Sequence, residues 1–338
     1  TTITGAAADI NTAYASTGIS GLGNEAITLT DSGTLAASVL VTLDSNTSGT
    51  IDASLITNLT GTSADLAALY TSQGQATGIS GLGNETVTIS ETPNTAVADA
   101  NLINAATTGA VTATLASGSM SELASLTGDE SQVYTITVTD SSVNASEIIT
   151  LEDKTSVALN LSNVSTIVGT DAEIKAVYVL DQNGDVTGLG NEALSVSNTS
   201  TITELNDLDS ETTGVITANV QSGNASTMSG LANANGNNAY SYTLTDTSIA
   251  ASTLNTLDAA TAGTITVSAT TITGAAADIN TAYAASGFSG LGDEAVTIND
   301  TTVEASVLNT LNSNTTGLVT ATSVATLTGT AAAINTLV

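Results

Sequence analysis

The residues best suited to hold a ligand form one short acidic segment, DQNGD, at 181–185. Oxygen ligands at alternate positions, with a glycine that permits a sharp turn, resemble the beginning of a calcium-binding loop. Glu192 follows Asp181 by eleven residues, near the position where a bidentate carboxylate completes such a loop. We therefore take Asp181, Asn183, Asp185 and Glu192 as a candidate Ca²⁺ site. The alternative is a turn rich in Asp, Asn and Gly.

A second acidic feature recurs along the chain, in the motif GLGNE or GLGDE at 21–25, 81–85, 188–192 and 290–294. We expect its glycines to adopt positive φ. Its terminal glutamates form a series that could hold cations weakly as a row of acids: Glu25, Glu85, Glu192 and Glu294. We favour the simpler interpretation, in which these glutamates form a solvated edge.

Catalytic chemistry has few candidates in this composition. The chain has no Cys and no His, which excludes disulfides, thiolate metal sites and the commonest general base. No unique pair of carboxylates stands outside the repeated pattern described below, so carboxylate-based hydrolysis of sugars has no candidate pair. We expect the chain not to be an enzyme, and Ca²⁺ is the one cofactor that the sequence suggests.

The charge of the chain limits its partners. It has 32 acidic residues, and its two cationic residues are Lys154 and Lys175, which gives a net charge of −30. Nucleic acid and anionic membrane surfaces are therefore unlikely partners, and no apolar run is long enough to insert into a membrane. Such acidity is typical of proteins that stay dissolved in salty water, so we expect an extracellular or cell-surface location. No signal peptide is visible, and we expect an export signal to lie outside this segment.

Internal repetition organises the whole chain. Residues 1–15 recur without change at 270–284. One glycine marks each repeat, and Gly5 and Gly329 are 324 positions apart, or 54 residues for each of six units. The predicted units are 5–60, 61–117, 118–168, 169–222, 223–273 and 274–328, followed by a partial unit, 329–338.

Each unit contains two predicted helices and two predicted strands. The first helix carries an i, i+3 apolar pair such as Ile10 and Ala13, and several copies end at a tyrosine, as at Tyr14. The GLGNE loop and an alternating strand follow. The second helix carries pairs such as Leu40 and Leu43, and in the second copy Leu102 and Ile103. It precedes a glycine, which we expect to form a left-handed C-terminal cap, and then another strand. These glycines are Gly49, Gly109, Gly214, Gly263 and Gly317.

This order predicts an α/β tandem-repeat solenoid, with parallel β-strands on one side and short helices on the other. The alternative is a string of small α/β or β-sandwich domains, but no linker composition separates the units. The periodicity and a hydrophobic content of 41% favour order over disorder. Because the array begins and ends within a repeat, without polar capping units, we expect either a segment of a longer chain or ends that are covered by neighbours.

The phrases GLGNEAITLTD, LTGTAAAINT and AASTLNTLDAATAGTIT carry a family resemblance. They resemble the repeats of giant cell-surface proteins in marine unicellular cyanobacteria, of the swimming-associated, SwmB-like type. The resemblance covers nearly the whole chain and is weakest at 115–180 and 215–240. It implies a very long extracellular protein that is tied to the cell surface, motility or adhesion, and it implies no catalytic residues.

Two classes of function remain open. The first is a structural fibre or coat that self-associates with like chains or neighbouring repeats. The second is an adhesin, in which flat threonine faces such as Thr28 and Thr30 bind a surface glycan or ice. We favour ordinary strand surface for these threonines, because threonine has a high β-propensity. Calcium-gated assembly is a separate, third hypothesis, and calcium would also assist the adhesin.

Overall fold

The computed structural model describes residues 1–234 and 236–337, so Asn235 and Val338, which belong to predicted units 223–273 and 329–338, lie outside the described residues. The fold is α/β, and its strand pairs are parallel. The chain divides into two compact units. The first comprises 1–164 and 179–189, and the second comprises 165–178 and the described residues from Gly190 onward. Each is described by itself, with elements numbered in chain order.

Among its described residues the first unit contains six complete helices and twelve strands. The helices are α1 (Ala7–Tyr14), α2 (Ala37–Asn46), α3 (Ser63–Gln73), α4 (Val97–Asn104), α5 (Met120–Leu123) and α6 (Ala145–Glu152). The strands are β1 (Thr2–Gly5), β2 (Ala26–Leu29), β3 (Gly33–Ala36), β4 (Ile51–Asp52), β5 (Ile56–Gly61), β6 (Ile79–Ser80), β7 (Thr86–Ile89), β8 (Val111–Thr114), β9 (Val133–Thr135), β10 (Ser142–Asn144), β11 (Leu159–Asn160) and β13 (Val186–Thr187).

Strands of the first unit form parallel sheets in the orders β1-β2-β4-β6 and β3-β5-β7-β8-β9, and β11 pairs with β13. The paired strands place like residues in columns. Ile27 pairs with Ile51, and Ile51 pairs with Ile79. All three are almost fully buried. A column of β-branched side chains packs well on a pleated surface, which explains why alternating Ile and Thr select strands here.

The second unit repeats this construction. Its helices are α7 (Asp171–Asn183, of which 179–183 is counted with the first unit), α8 (Ile202–Asp209), α9 (Ala225–Met228), α10 (Ala251–Ala259), α11 (Ala276–Ala284), α12 (Ala305–Asn314) and α13 (Ala331–Asn335). Its strands are β12 (Thr166–Gly169), β14 (Ala193–Ser200), β15 (Ile216–Val220), β16 (Ala239–Leu244), β17 (Ser248–Ala250), β18 (Ile265–Val267), β19 (Thr271–Gly274), β20 (Phe288–Ser289), β21 (Ala295–Ile298), β22 (Thr302–Glu304), β23 (Val319–Thr320) and β24 (Thr326–Thr328).

Parallel pairing again follows chain order in the second unit. The orders are β12-β14-β15-β16-β18-β20, β17-β19-β21-β23 and β22-β24. Tyr242 pairs with Ile265, and Ile265 pairs with Phe288. Paired residues across both units are separated by 20 to 28 positions in the chain. This separation is about half of a 54-residue repeat.

Helices lie beside their neighbours in the chain and bury the predicted apolar pairs. In the first unit α1 packs against α2, and α2 against α3. Leu40 and Leu43 are fully buried in α2. In α4 the predicted pair is half wrong, because Leu102 is exposed and the buried i, i+3 pair is Ala100 and Ile103.

Two features of the fold were not predicted. Short strands precede the second helix of several repeats, as β3, β17 and β22, and two-residue strands such as β6 precede the GLGNE loop. Strands of two to four residues are too short to establish a period of two from sequence, although pairing to a neighbouring strand stabilises them. In the two weakly conforming repeats the first helix, α5 or α9, is only one turn long.

The glycines after the second helices have a different role from the predicted one. None of Gly49, Gly109, Gly214, Gly263 and Gly317 has a positive φ, so the left-handed cap was a wrong prediction. A Cβ on Gly109 would lie 2.2 Å from the carbonyl oxygen of Glu85. The glycine is required because the backbone passes directly against the loop of the preceding step.

We predict that Gly109→Ala lowers the free energy of unfolding by at least about 2 kcal/mol, because neither backbone segment can move away without breaking its own hydrogen bonds. Urea unfolding followed by circular dichroism measures this. Gly18→Ala is the matched control, since its new Cβ would contact Ser16 Oγ at an ordinary 3.8 Å. A Gly109→Ala chain as stable as Gly18→Ala would contradict the close-approach explanation.

Candidate functional site

The predicted calcium segment lies at the end of a helix. Asp181 and Asn183 belong to the last turn of α7, and Gly184 follows with a φ of 89°. The amide of Gly184 donates to the carbonyl of Asp181, and that of Asp185 donates to Leu180. This pair of bonds is the Schellman arrangement, which satisfies carbonyls at a helix end.

The fourth predicted ligand, Glu192, belongs to the second unit. Its carboxylate accepts hydrogen bonds from Tyr178 Oη and from the amides of Gly190 and Asn191. Within 1–234 and 236–337, no three acidic side chains form a group that could hold a metal ion. The Ca²⁺ site of Asp181, Asn183, Asp185 and Glu192 stays a prediction.

The GLGNE glutamates are buried, with exposed fractions of 4%, 1%, 0% and 1% for Glu25, Glu85, Glu192 and Glu294. The interpretation as a solvated edge is therefore wrong. The sequence did not distinguish these carboxylates from surface acids, because their donors lie mainly in the backbone. One signal was visible, since each GLGNE motif follows a helix that carries a tyrosine nine residues after the register glycine.

The first copy shows the geometry of this site. One oxygen of Glu25 accepts from the amide of Gly23 at 2.7 Å, from that of Asn24 at 3.0 Å and from Tyr14 Oη at 2.9 Å. Gly21 and Gly23 have positive φ, as predicted, and this conformation folds the loop back over its own glutamate. Tyr70 with Glu85, Tyr178 with Glu192 and Tyr283 with Glu294 repeat the contact. We call each pair a Tyr–Glu latch.

A threonine joins each latch to the next step of the chain. Thr47 Oγ1 donates to the carbonyl of Glu25 at 2.8 Å and accepts from the amide of Gly49 at 3.0 Å. Thr107, Thr212 and Thr315 make the same contacts in the other copies. The side chain, the loop backbone and the following glycine are therefore satisfied together.

In the first copy, backbone amides and a tyrosine hydroxyl donate to the carboxylate of the latch, so its charge is stabilised without a cation. The amide of Gly23 is the main cause that holds the pKa of Glu25 below its usual value, and burial opposes this. Burial is the main cause that raises the pKa of Tyr14, and the bond to Glu25 raises it further. A carboxylate that accepts several hydrogen bonds favours its charged form. In this first copy the latch is thus an ionised acceptor with a neutral phenol donor.

The two repeats that lack the latch use an amide side chain instead. Gln132 Oε1 accepts from the amide of Val111 at 2.7 Å, and Asn238 Oδ1 accepts from Ile216 at 2.8 Å. Both side chains are buried. Each side-chain amide oxygen accepts a hydrogen bond from the backbone amide of a strand residue. In other steps the backbone carbonyl that precedes the next strand accepts this bond, as the carbonyl of Thr50 does from the amide of Ile27.

A second recurrent contact, missed from the sequence, caps the first helices. Asp31 Oδ2 accepts from the amide of Ala7 at 2.7 Å, at the beginning of α1. The series of such residues is Asp31, Glu91, Asp140, Asn198, Asp246 and Asp300, and each contacts the helix of the preceding step. Every member stands two residues after the last apolar residue of the alternating strand pattern, which is the signal that was available. An anion there also suits the helix dipole.

Asparagines connect neighbouring helices on the other side of the fold. Asn11 Nδ2 donates to the carbonyl of Val39 at 3.0 Å, and Asn280 Nδ2 donates to Val307 at the same distance. Asn101, Asn206, Asn255 and Asn309 make equivalent bonds. These asparagine side chains therefore form hydrogen bonds with the next strand–helix step and help to hold neighbouring steps together.

No family model, no curated protein and no solved structure matches this chain. The resemblance to the cyanobacterial surface proteins stays a prediction. Among 1–234 and 236–337, no helix has the length and apolar character needed to cross a bilayer.

We predict that Tyr70→Phe lowers the free energy of unfolding by about 1.5–3 kcal/mol, because it leaves the buried carboxylate of Glu85 without one donor. Thr71→Ala is the control on the same helix, since Thr71 Oγ1 bonds only one turn back at an exposed site. The double variant with Glu85→Gln measures the coupling in urea unfolding. If the Tyr70→Phe chain were no less stable than the Thr71→Ala control, the latch would make no contribution to the free energy of unfolding.

Stability is predicted to fall at both extremes of pH. Hydrogen bonds hold the pKa values of Glu25, Glu91 and Glu122 below the ordinary 4.5, so their stabilisation is present above that pH and is lost as the pH falls through the lowered values. Raised tyrosine pKa values, as at Tyr70, give stabilisation that is complete below the ordinary 10.0 and is lost above it.

Urea midpoints measured between about pH 3 and pH 11 test this pattern. Glu91→Gln is the informative variant, because its acid limb should be shallower than that of the unchanged chain. Destabilisation that begins already near neutral pH would contradict the assignment.

Proposed function

We propose that this chain is a structural repeat protein of the extracellular space or cell surface that forms a fibre or coat. The observation that carries the proposal is a series of asparagine bonds between repeats, in which Asn101, Asn206 and Asn255 each donate to a backbone carbonyl of the following repeat. Such a contact has a purpose only between stacked repeats.

Within this proposal the fold is a solenoid of about six 54-residue units, extending over 1–338 as one array. Parallel pairing at separations of 20 to 28 residues supports it, because each pairing advances the chain by one strand–helix step. Contacts between consecutive helices, as between α1 and α2 and between α11 and α12, and the asparagine bonds between them support the same arrangement.

The net charge of −30 bears on assembly. Like-charged chains repel one another at low ionic strength, and salt at the concentration of seawater reduces the range of this repulsion to a few ångströms. Self-association of such chains is therefore favoured in a saline extracellular medium. The proposal assigns the chain no catalytic step and no cofactor other than the predicted Ca²⁺.

The alternative, adhesion to glycan or ice through threonine faces, has weaker support. Thr28 and Thr30 are exposed. Other outward hydroxyls are engaged within the sheets, since Thr187 Oγ1 donates to the carbonyl of Leu159 at 3.1 Å, and Thr266 Oγ1 lies 2.9 Å from Ser289 Oγ. Hydroxyls that bond to their own sheet present fewer donors to a flat ligand, which favours the structural role.

Electron microscopy of the purified chain tests the proposal. Twelve strand–helix steps at about 4.8 Å each predict particles about 60 Å long at low salt. In about 0.5 M NaCl, where repulsion is screened, these should join into longer filaments or sheets. Isolated compact globules under both conditions would contradict a fibre or coat.

The same samples test the calcium prediction. Millimolar CaCl₂ should raise the melting temperature and promote assembly, and a chelator should reverse both effects. The matched variant combines Asp181→Asn with Asp185→Asn. If calcium raised its melting temperature as much as that of the unchanged chain, the predicted ligands would be wrong.

A further inference from the structure

An apolar groove lies between α5 and α6 in the first unit. Helix α5 ends after one turn at Leu123, where the corresponding helix α3 continues to Gln73. The missing turns leave a groove of about 190 Å³. Its floor is formed by Met120, Leu123, Leu126 and Leu151.

The rim of this groove holds one cation, Lys154, that forms no ion pair among the described residues. Lys154 lines the groove, and in the part of the chain that the structure describes its Nζ lies within 4.0 Å of no carboxylate oxygen. The other lysine, Lys175, forms an ion pair of 2.7 Å with Glu211. Glu147, also at the rim, accepts hydrogen bonds from the amide and side chain of Asn144.

The surroundings of Lys154 are acidic, which limits the strength of any anion site. Hydrogen bonds from Ser131 are the main cause that lowers the pKa of Asp129, and the positive charge of Lys154 makes the smallest contribution. The carboxylate of Asp129 already accepts from the amide and hydroxyl of Ser131. Lys154 therefore keeps its donor capacity for a bound molecule.

The second short helix offers an internal comparison. In α9 and α10 the positions that correspond to Leu123 and Leu151 are Met228 and Leu257, and the position of Lys154 is occupied by Ala260. The apolar character is thus shared by both short-helix repeats, whereas the cation is particular to the first.

We propose that this groove binds a small apolar carboxylate, with its hydrocarbon body on Met120, Leu123 and Leu126 and its carboxylate paired with Lys154. Apolar cavities of about 150 Å³ hold benzene, so a groove of this size accepts a benzene-sized body. Charge complementarity selects the anion, because Lys154 is the cation at this rim and forms no ion pair within 4.0 Å among the described residues. The site is independent of the proposed structural role.

Three probes that share a phenyl ring and differ in charge test the assignment: benzoate, benzyl alcohol and benzylammonium. The chain has two methionines, Met120 in the groove and Met228 in the other short-helix repeat, so methyl-labelled methionine gives one reporter and one internal control. Titration followed by NMR should shift the Met120 methyl signal with a dissociation constant in the millimolar range for benzoate. Benzyl alcohol should bind about two- to fivefold more weakly, and benzylammonium more weakly still.

Variants separate the contributions. Lys154→Gln should remove the preference for benzoate over benzyl alcohol, and Lys175→Gln should leave it unchanged. Ala124→Phe, at an exposed position that lines the groove, should weaken all three probes. Equal binding of benzoate and benzyl alcohol to the unchanged chain, an unmoved Met120 signal, or an equal shift at Met228 would each overturn the proposal.

Discussion

Burial of a carboxylate is the constraint on which the repeated part of this fold depends. Glu25 and its counterparts lie in the interior, where an isolated charge would cost several kcal/mol. The loop backbone therefore turns back through positive-φ glycines to supply amides, and the preceding helix extends far enough to supply a tyrosine hydroxyl. A shorter helix would leave the carboxylate with one donor fewer.

The two repeats without this carboxylate show the same dependence in reverse. They have no tyrosine nine residues after the register glycine, where Thr127 and Ala232 stand instead. The backbone amides of these residues donate to the preceding helix, that of Thr127 to Asn101 Oδ1 at 2.7 Å and that of Ala232 to Asn206 Oδ1 at 2.7 Å. Helices α5 and α9 end after one turn. Loss of the latch and shortening of the helix therefore occur together.

The sequence predicted the α/β class and the buried apolar pairs because both follow from local periodicity. Leu40 and Leu43 repeat at helical spacing, and Ile27 and Leu29 repeat at strand spacing. The latch could not be predicted in the same way, since a buried glutamate and an exposed one have the same letter and the deciding donors are backbone amides. The glycine after the second helix was misassigned for a related reason. A glycine is required at that position because a backbone carbonyl of another step lies against it, and the neighbouring sequence does not show this contact.

The lost latch bears on the lining of the proposed ligand groove. A cavity beside the second helix also occurs where the latch is complete, since a space of about 290 Å³ lies between α3 and α4. In the repeat of α5 the groove is lined by Met120, Leu123 and Leu126 together with Ser146, Glu147 and Thr150 of α6. A single substitution at the rim, lysine where the other short-helix repeat has alanine, then gives this groove a charge preference.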